Sequence, residues 1–370
     1  MEKGLLSIIV PVYNGQKYIK ETMESLRAST YHNIEIIIID DGSTDFSRMI
    51  CEEFISTDQR FRIICQENQG IVGARNRGLF EACGEYVGFC DQDDIVSKDY
   101  YSKAVGKMER DGSDVCVCSS MKFYETGDWR TRICEKQIDA LYVGDEIGER
   151  IVRPTVLANY IVNFNDQIAA RGTIWNCIIR KNMIDKYGLK FQKNVHFEDD
   201  WLFRIDVLLK AEKVSTIALC GYYWRTNLQS ESNRKIYIDH FAQKQADTRN
   251  YVVKQLQENG LEDLAPKYIS YQKCFDMIKI LENEGRVKRS YRQRRRYFRN
   301  VLGELNTPDV ESASKDIKKG EVRYRLLLFF IKKKKYFIAF YCNCFLVAIR
   351  TILYRFKLAY FVENIVNRVK

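Results

Sequence analysis

The sequence predicts an α/β fold: a Rossmann-like, mostly parallel sheet flanked by helices, continued into a mainly helical C-terminal extension. Over the first 120 residues, short apolar runs alternate with amphipathic stretches, the pattern of strands and helices around a parallel sheet. Polar clusters sit at the ends of several of those runs. After about Asp239 the pattern becomes mainly helical, and the charge becomes strongly basic. At 370 residues the chain exceeds a typical single domain. The expected division is residues 1–238, in halves of about 1–120 and 121–238, followed by a helical, basic extension over 239–370.

Leu5 to Val12 (LLSIIVPV), Ile34 to Ile39, Phe61 to Cys65, Tyr86 to Cys90 and Val115 to Cys118 read as strands. A helix is expected from about Lys17 to Arg27, where Ile19, Met23 and Leu26 share a face. Another is expected after Ser43-Thr44-Asp45, an N-cap cluster. The first, second and fourth strands end in Tyr13-Asn14-Gly15, Asp40-Asp41-Gly42-Ser43 and Asp91-Gln92-Asp93-Asp94. Ligands bind such sheets beyond the carboxyl ends of the strands, so these turns should meet at one edge.

Composition narrows the class. A hydrophobic content of 46% with 4 prolines fits a compact globular chain, and 29% charged residues exclude a polytopic membrane protein. The 12 cysteines form no regular framework, and Cys116/Cys118 and Cys342/Cys344 lack the two-residue gap usual in zinc sites. They read as reduced and cytosolic. The apolar run at Leu5–Val12 is too short for a signal peptide, so export is not expected. The net charge of +10 is uneven: residues 286–370 hold 22 Lys and Arg against 6 Asp and Glu, and residues 1–285 hold 37 against 43.

Four motifs carry chemistry. Asp91, Asp93 and Asp94 crowd three carboxylates into four residues after an apolar strand, and their mutual repulsion is relieved by a hard divalent cation. Mg²⁺ or Mn²⁺ commonly takes one or two carboxylates, waters and the oxygens of a substrate diphosphate. The alternative is a solvated acidic turn. Asp41 at the end of the second strand can accept from the imide N–H of uracil while Tyr13 stacks on the base, or the segment is an ordinary turn and cap. In Glu67–Gly78 (ENQGIVGARNRG), glycines and arginines stand where a helix should start, and both helix N-termini and guanidiniums suit phosphate oxygens. Arg75 is the expected diphosphate contact, unless the segment is a flexible loop with solvated arginines. In His196–Trp201 (HFEDDW), Asp199 is placed to deprotonate an acceptor hydroxyl, although first-turn acids also simply favour a helix dipole.

Taken in order, SIIVPVYNG, IIIIDDGSTD, NQGIVGARNRG, DQDD and FEDDWLF resemble the family 2 glycosyltransferases of the GT-A fold, over roughly Leu5 to Ser230. The resemblance implies an inverting transfer of a sugar from a nucleotide-sugar donor, with UDP favoured by analogy, to a glycan or lipid-linked acceptor. Pro11, Tyr13 and Asp41 would hold the nucleoside, Arg75 and Asn76 lie in the A-R-N segment, and Asp91, Gln92 and Asp93 match the D-x-D region for nucleotide and metal. Asp94 would replace or assist one of those acids, and Asp199 matches the general base beside Glu198. Gly172–Arg180 (GTIWNCIIR) resembles the stretch preceding that acid in bacterial polysaccharide transferases, so Trp175 would line the sugar or acceptor pocket, as would Trp224 in the strand that closes the site. A tryptophan beside apolar neighbours is more often simply core, which is the alternative for both. Pocket specificity would rest on Tyr124 to Asp166, where the resemblance is weakest, and the pathway would build a capsule, exopolysaccharide or teichoic-type polymer. The rival readings are a sugar nucleotidyltransferase and a degenerate family member that only binds glycan or a partner.

In the basic tail, Arg286–Arg299 interleaves cations with aromatics. Lys332–Lys335 precedes an apolar run, Tyr336–Ile349, that is too short to span a bilayer. Beyond it, Ile352, Leu353, Phe356 and Tyr360 share a helical face against Arg350, Arg355 and Lys357. The expectation is a peripheral protein at the inner face of the cell membrane, its tail on anionic lipid. A packed helical hairpin with a solvated basic face, or a homodimer through the tail, are the alternatives. No nucleic-acid module is recognisable, so nucleic acid is not an expected partner.

Overall fold

A computed structural model of the chain describes residues 1–124, 132–135, 137–157, 172–193, 198–226, 236–318 and 321–355. About half of residues 124–166, where pocket specificity is expected, His196 and Phe197, and the face expected around Ile352 to Tyr360 fall outside the described residues or side chains. Two compact units divide the chain: Met1–Thr155 with Asp166–Asn233, and Val156–Asn165 with Arg234–Lys370.

In chain order the elements through Thr226 are β1 (Glu2–Val12), α1 (Ile19–Arg27), β2 (Ile34–Asp40), α2 (Ser47–Thr57), β3 (Phe61–Cys65), α3 (Gly70–Glu81), β4 (Gly84–Phe89), β5 (Ile95–Val96), α4 (Tyr100–Asp111), β6 (Val115–Tyr124), β7 (Arg132–Glu135), β8 (Ala140–Val143), the short α5 (Asp145–Ile147) and α6 (Arg153–Leu157), β9 (Cys177–Arg180), α7 (Lys181–Tyr187), α8 (Asp199–Lys210) and β10 (Lys213–Thr226). The strands form one sheet in the order β3-β2-β1-β4-β9-β6-β10-β5, with β7 added to β6 and β8 to β10. β3, β2, β1 and β4 run parallel. β9 enters antiparallel between β4 and β6, while β6 and β10 pair in parallel. The sheet is therefore mixed, with β3, β2, β1 and β4 forming its parallel half.

The apolar runs form strands because helices cover both faces of the parallel half, which buries consecutive side chains rather than alternate ones. Ile8, Ile9, Val10 and Ile36 to Ile39 are all fully buried, each contributing about 1.5–3 kcal/mol by the usual transfer scale. Helix α3 lies close on β1 at Gly78, where a Cβ would come within 2.3 Å of Ile9 Cγ2. The expected face of α1, Ile19, Met23 and Leu26, is buried. Helix α2 starts later than its N-cap signal: Phe46 takes the cap position, and the Asp45 carboxylate accepts from the Ser47 N–H at 2.9 Å.

β1 lies between β2 and β4, so the strand order reverses there, and its pairing with β4 ends at Ile9 and Phe89. Such a switch point opens a crevice at the carboxyl ends of the strands. Pro11, which has no N–H to give a ladder, lies just beyond that pairing.

The second unit is helical: α9 (Phe241–Glu258), α10 (Ala265–Glu284), α11 (Tyr291–Leu305), α12 (Pro308–Ala313), α13 (Val322–Lys332) and α14 (Tyr336–Arg355). The long α10 is its core, burying Tyr268, Met277, Ile278 and Leu281. α11 begins with a capping box between Ser290 and Gln293.

Candidate active site

The turns after β1 and β2 are tied together by side chains. Asn14, at φ 48°, accepts from the Thr44 N–H at 2.8 Å through Oδ1 and donates its own N–H to Ser43 Oγ at 3.1 Å. Gly15 donates to Ser47 Oγ at 2.8 Å. The turn after β4 joins them through Gln92, which accepts from the Tyr13 N–H at 2.9 Å and donates to the Tyr13 carbonyl at 3.1 Å. Gln92 thus clamps the backbone of Tyr13, whose side chain stays 41% exposed. An exposed phenol ring at a sheet's switch point is free to take a flat partner.

Asp41 is buried, and three donors orient its carboxylate: Gln66 Nε2 at 2.7 Å and Gln69 N at 2.9 Å on Oδ1, and Gly70 N at 2.8 Å on Oδ2. It caps α3 from a distant strand, so the N-terminus expected to face a diphosphate is already engaged by a protein anion. Gly42 permits the preceding turn by adopting φ 77°.

Arg75 lies one turn further along α3, and its side chain is 5% exposed. Its Nη2 donates to Asp91 Oδ1 at 3.1 Å; its Nη1 donates to Asp199 Oδ2 at 2.7 Å and also to Asp200 Oδ1. Burial works against the guanidinium charge, but Asp200, Asp91 and Asp199 more than offset it and hold its pKa above the usual range. Burial pushes Asp200 up to about 8 despite the opposing pull of Arg75. The fork geometry of arginine suits this three-way contact, since one planar group reaches carboxylates from two different elements.

Asn76 holds the approach to α8 in place. Its amide donates to the Phe191 carbonyl at 2.9 Å and accepts from the Phe191 N–H at 2.8 Å. Phe191 in turn stacks on Phe203 of α8, ring centroids 4.1 Å apart, and lies beneath the Arg75 guanidinium. Consecutive residues of α3 therefore fix the start of α8 and, with it, Asp199 and its N-cap neighbour Glu198.

The acidic cluster after β4 divides into unlike members. Asp91 keeps 27% of its side chain exposed, and Asp93 is partly exposed. Asp94 is fully buried, accepting from Tyr222 Oη at 2.8 Å and from the Arg225 N–H at 2.8 Å. Burial raises its pKa well above the ordinary carboxylate value. Both Asp94 oxygens hold β10 against the turn, which departs from its expected place among metal ligands. Among the described residues no group of three or more metal-ligating side chains is gathered; Asp91 and Asp93 are the partly exposed oxygen donors that would suit Mg²⁺ or Mn²⁺, with further ligands from water and substrate.

Trp175 is buried and stacked on Tyr222, centroids 4.3 Å apart, so in this structure it supports the Tyr222–Asp94 contact from the core. Trp224 is partly exposed, with Lys122 Nζ 5.1 Å from its ring centroid. Arg225 lies between Tyr18 and Phe123 and donates to the Asp93 carbonyl at 2.6 Å and to Glu21 at 2.5 Å. Sequence reasoning overlooked Asp200 and Phe191. The available signal was Arg75 itself: a cation on the small, buried face of a helix, between Ala74 and Gly78, requires buried anions.

The glycosyl transferase family 2 profile matches residues 7–184. The glycosyltransferase EpsJ of Bacillus subtilis (strain 168) is 30% identical over 243 residues, 65% of this chain and 67% of that one. The chain belongs to glycosyltransferase family 2. Another relative, the glycosyltransferase EpsH of the same organism, is 34% identical over 233 residues, and the match spans 62% of this chain and 63% of EpsH. Among solved structures, S. aureus TarS 1-349 superposes with a TM-score of 0.58 at 20% identity, over 92% of this chain and 90% of TarS. This likeness shows the shared fold, the GT-A fold with a helical C-terminal part. TarS has also been solved in complex with UDP-GlcNAc.

Proposed function

We propose that this protein transfers a sugar from a UDP-sugar to a hydroxyl of a glycan or lipid-linked acceptor, with inversion at the anomeric carbon. The observation that carries the reading is the convergence at Arg75: one guanidinium brings Asp199, at the start of α8, to Asp91, at the end of β4. A base and a cation-binding carboxylate share one anchored cluster.

In the proposed reaction the acceptor oxygen bonds to the anomeric carbon as Asp199 takes its proton, and the bond to the nucleoside diphosphate breaks with its electron pair leaving on the phosphate oxygen. One displacement inverts the configuration. Arg75 orients Asp199 through Oδ2, and a carboxylate held by one oxygen still offers the other as base. Asp91 and Asp93 would hold Mn²⁺ or Mg²⁺, which when bound supplies Lewis-acid stabilisation of the leaving diphosphate. Tyr13, exposed and clamped at its backbone, would stack on the base beside Pro11. Asp41 would accept from the base through oxygens already oriented by α3, and Arg75 would meet the diphosphate from the edge of its ion cluster. Glu198 and Trp224 would lie on the acceptor side, with Trp175 stacked behind Tyr222.

The UDP-GlcNAc complex of TarS, a protein of the same fold, supports a UDP-sugar donor. A further relative, the minor teichoic acid biosynthesis protein GgaA of Bacillus subtilis (strain 168), 29% identical over 234 residues, supports a place in bacterial envelope polysaccharide synthesis, with residues 1–238 acting as the transferase and the basic extension meeting the inner face of the membrane. UDP release from a panel of UDP-sugars, with acceptor and Mn²⁺, tests the reading in wild type and Asp199→Asn. The variant should turn over roughly 10²- to 10⁴-fold more slowly while binding UDP as before. Undiminished turnover would remove Asp199 from the mechanism.

A further inference from the structure

We infer that the α13–α14 hairpin docks this protein on an anionic phospholipid bilayer, through one apolar stripe rimmed by cations, lying along the surface rather than crossing it. The inference deepens the peripheral reading above by naming the surface and what it meets.

The two helices are joined by Lys333–Lys335 and pack against each other. Each shows two unlike faces. On α13, Tyr324, Leu327, Leu328 and Ile331 are buried, whereas Val322, Leu326 and Phe329 are 67%, 38% and 54% exposed. On α14, Ala339, Phe340 and Asn343 are buried, whereas Ile338, Tyr341, Phe345 and Ile349 are 47%, 60%, 65% and 37% exposed. Spacings of three and four place each exposed set along one side of its helix. Two adjoining helices thus present large apolar side chains to the outside, far more than the single exposed residues of an ordinary surface.

Charge selects the occupant. From Val322 to Arg355 the sequence contains no Asp or Glu. The exposed Lys333, Lys334 and Lys335 lie at the turn between the helices. α11 packs on α14 through Phe298 against Phe340 and Tyr291 against Phe337, centroids 5.5 and 4.5 Å apart. It adds the exposed Arg292, Arg295, Arg296 and Arg299 beside the hairpin. A second copy meeting this face would set cations against cations. Nucleic acid would match the cations and could stack on Phe329, Tyr341 and Phe345, but it would leave the exposed aliphatic Val322, Leu326, Ile338 and Ile349 without an apolar partner. An anionic bilayer satisfies both features, with acyl chains for the stripe and headgroups for the rim. Among the described residues no helix is long and apolar enough to cross a membrane, which fits a helix pair lying in the interface.

Flotation of the full chain with phosphatidylcholine vesicles, with and without 30 mol% phosphatidylglycerol, tests this directly. Binding should require the anionic lipid and weaken with salt. Lys333→Gln/Lys334→Gln/Lys335→Gln should lower it about 5-fold per charge, and Phe329→Ser/Tyr341→Ser/Phe345→Ser at least 10-fold, with circular dichroism and UDP titration unchanged in both. Absence of wild-type binding to the anionic vesicles would overturn the inference. So would equal binding by the serine variant, or light scattering showing a dimer that this variant splits. No sugar donor enters the assay, so a failed transferase reading leaves its outcome intact, and the unchanged UDP titration separates the two.

Discussion

Arg75 on α3 donates to Asp199 on α8 at 2.7 Å, across 124 positions of sequence, and the same guanidinium holds Asp91 at the end of β4. The contact joins the two ends of the proposed chemistry, the base and the diphosphate side, through a single buried charge. Removing that charge would leave the Asp91 and Asp199 carboxylates and the Asp200 carboxyl facing one another in a poorly solvated place. Arg75→Met should lower unfolding stability by about 3–5 kcal/mol and abolish transfer. Arg75→Lys should recover part of the stability and little activity, because an ammonium cannot span carboxylates from two elements. Urea denaturation alongside turnover checks both.

Asp93 and Asp94 are neighbours with opposite environments. Because the Asp94 oxygens are engaged by Tyr222 and Arg225, Asp94→Asn should leave the Mn²⁺ concentration for half-maximal activity within about 3-fold, whereas Asp93→Asn should raise it 10-fold or more, by analogy with the loss of one oxygen ligand. The structural penalty of Asp94→Asn should appear as about 1–3 kcal/mol of lost stability, from a disturbed buried hydrogen-bond pair. A metal-dependence series on the two variants separates these roles.

The Asp200 carboxyl titrates near 8 in the folded chain, above its unfolded value, because burial outweighs the pull of Arg75. The folded state therefore holds a proton that the unfolded state has released. The stabilising contribution is complete below the unfolded pKa of about 4 and disappears as pH rises through about 8. Measured from pH 5 to 9, the stability of wild type relative to Asp200→Asn should fall with rising pH, and a flat difference would contradict the assignment.

The parallel half of the fold was readable because burial on both faces writes a strand as an unbroken apolar run: Ile34–Ile39 and Phe61–Cys65 lie within or coincide with β2 and β3. The antiparallel insertion was not readable. β9 is four residues long, and β5 only two, too short for any period to emerge, so the mixed character of the sheet appears only in the pairing. The motif turns were recognisable as an ordered set, yet the individual roles depend on where each side chain points. Asp41 reads as an acceptor for a base, and the three donors that already orient it at the start of α3 were not foreseen. Asp94 reads as a ligand and is found beneath β10. Arg75 reads as a phosphate contact, and the three carboxylates it also holds were not foreseen, since nothing in local sequence brings α3, β4 and α8 together.

Calorimetric titration of UDP, with and without Mn²⁺, into wild type and Asp93→Ala tests the central claim most directly. Binding that depends on the metal in the wild type and disappears in the variant is the predicted result. Failure of the wild type to bind UDP under either condition would contradict a nucleotide-sugar site at the carboxyl ends of β1, β2 and β4.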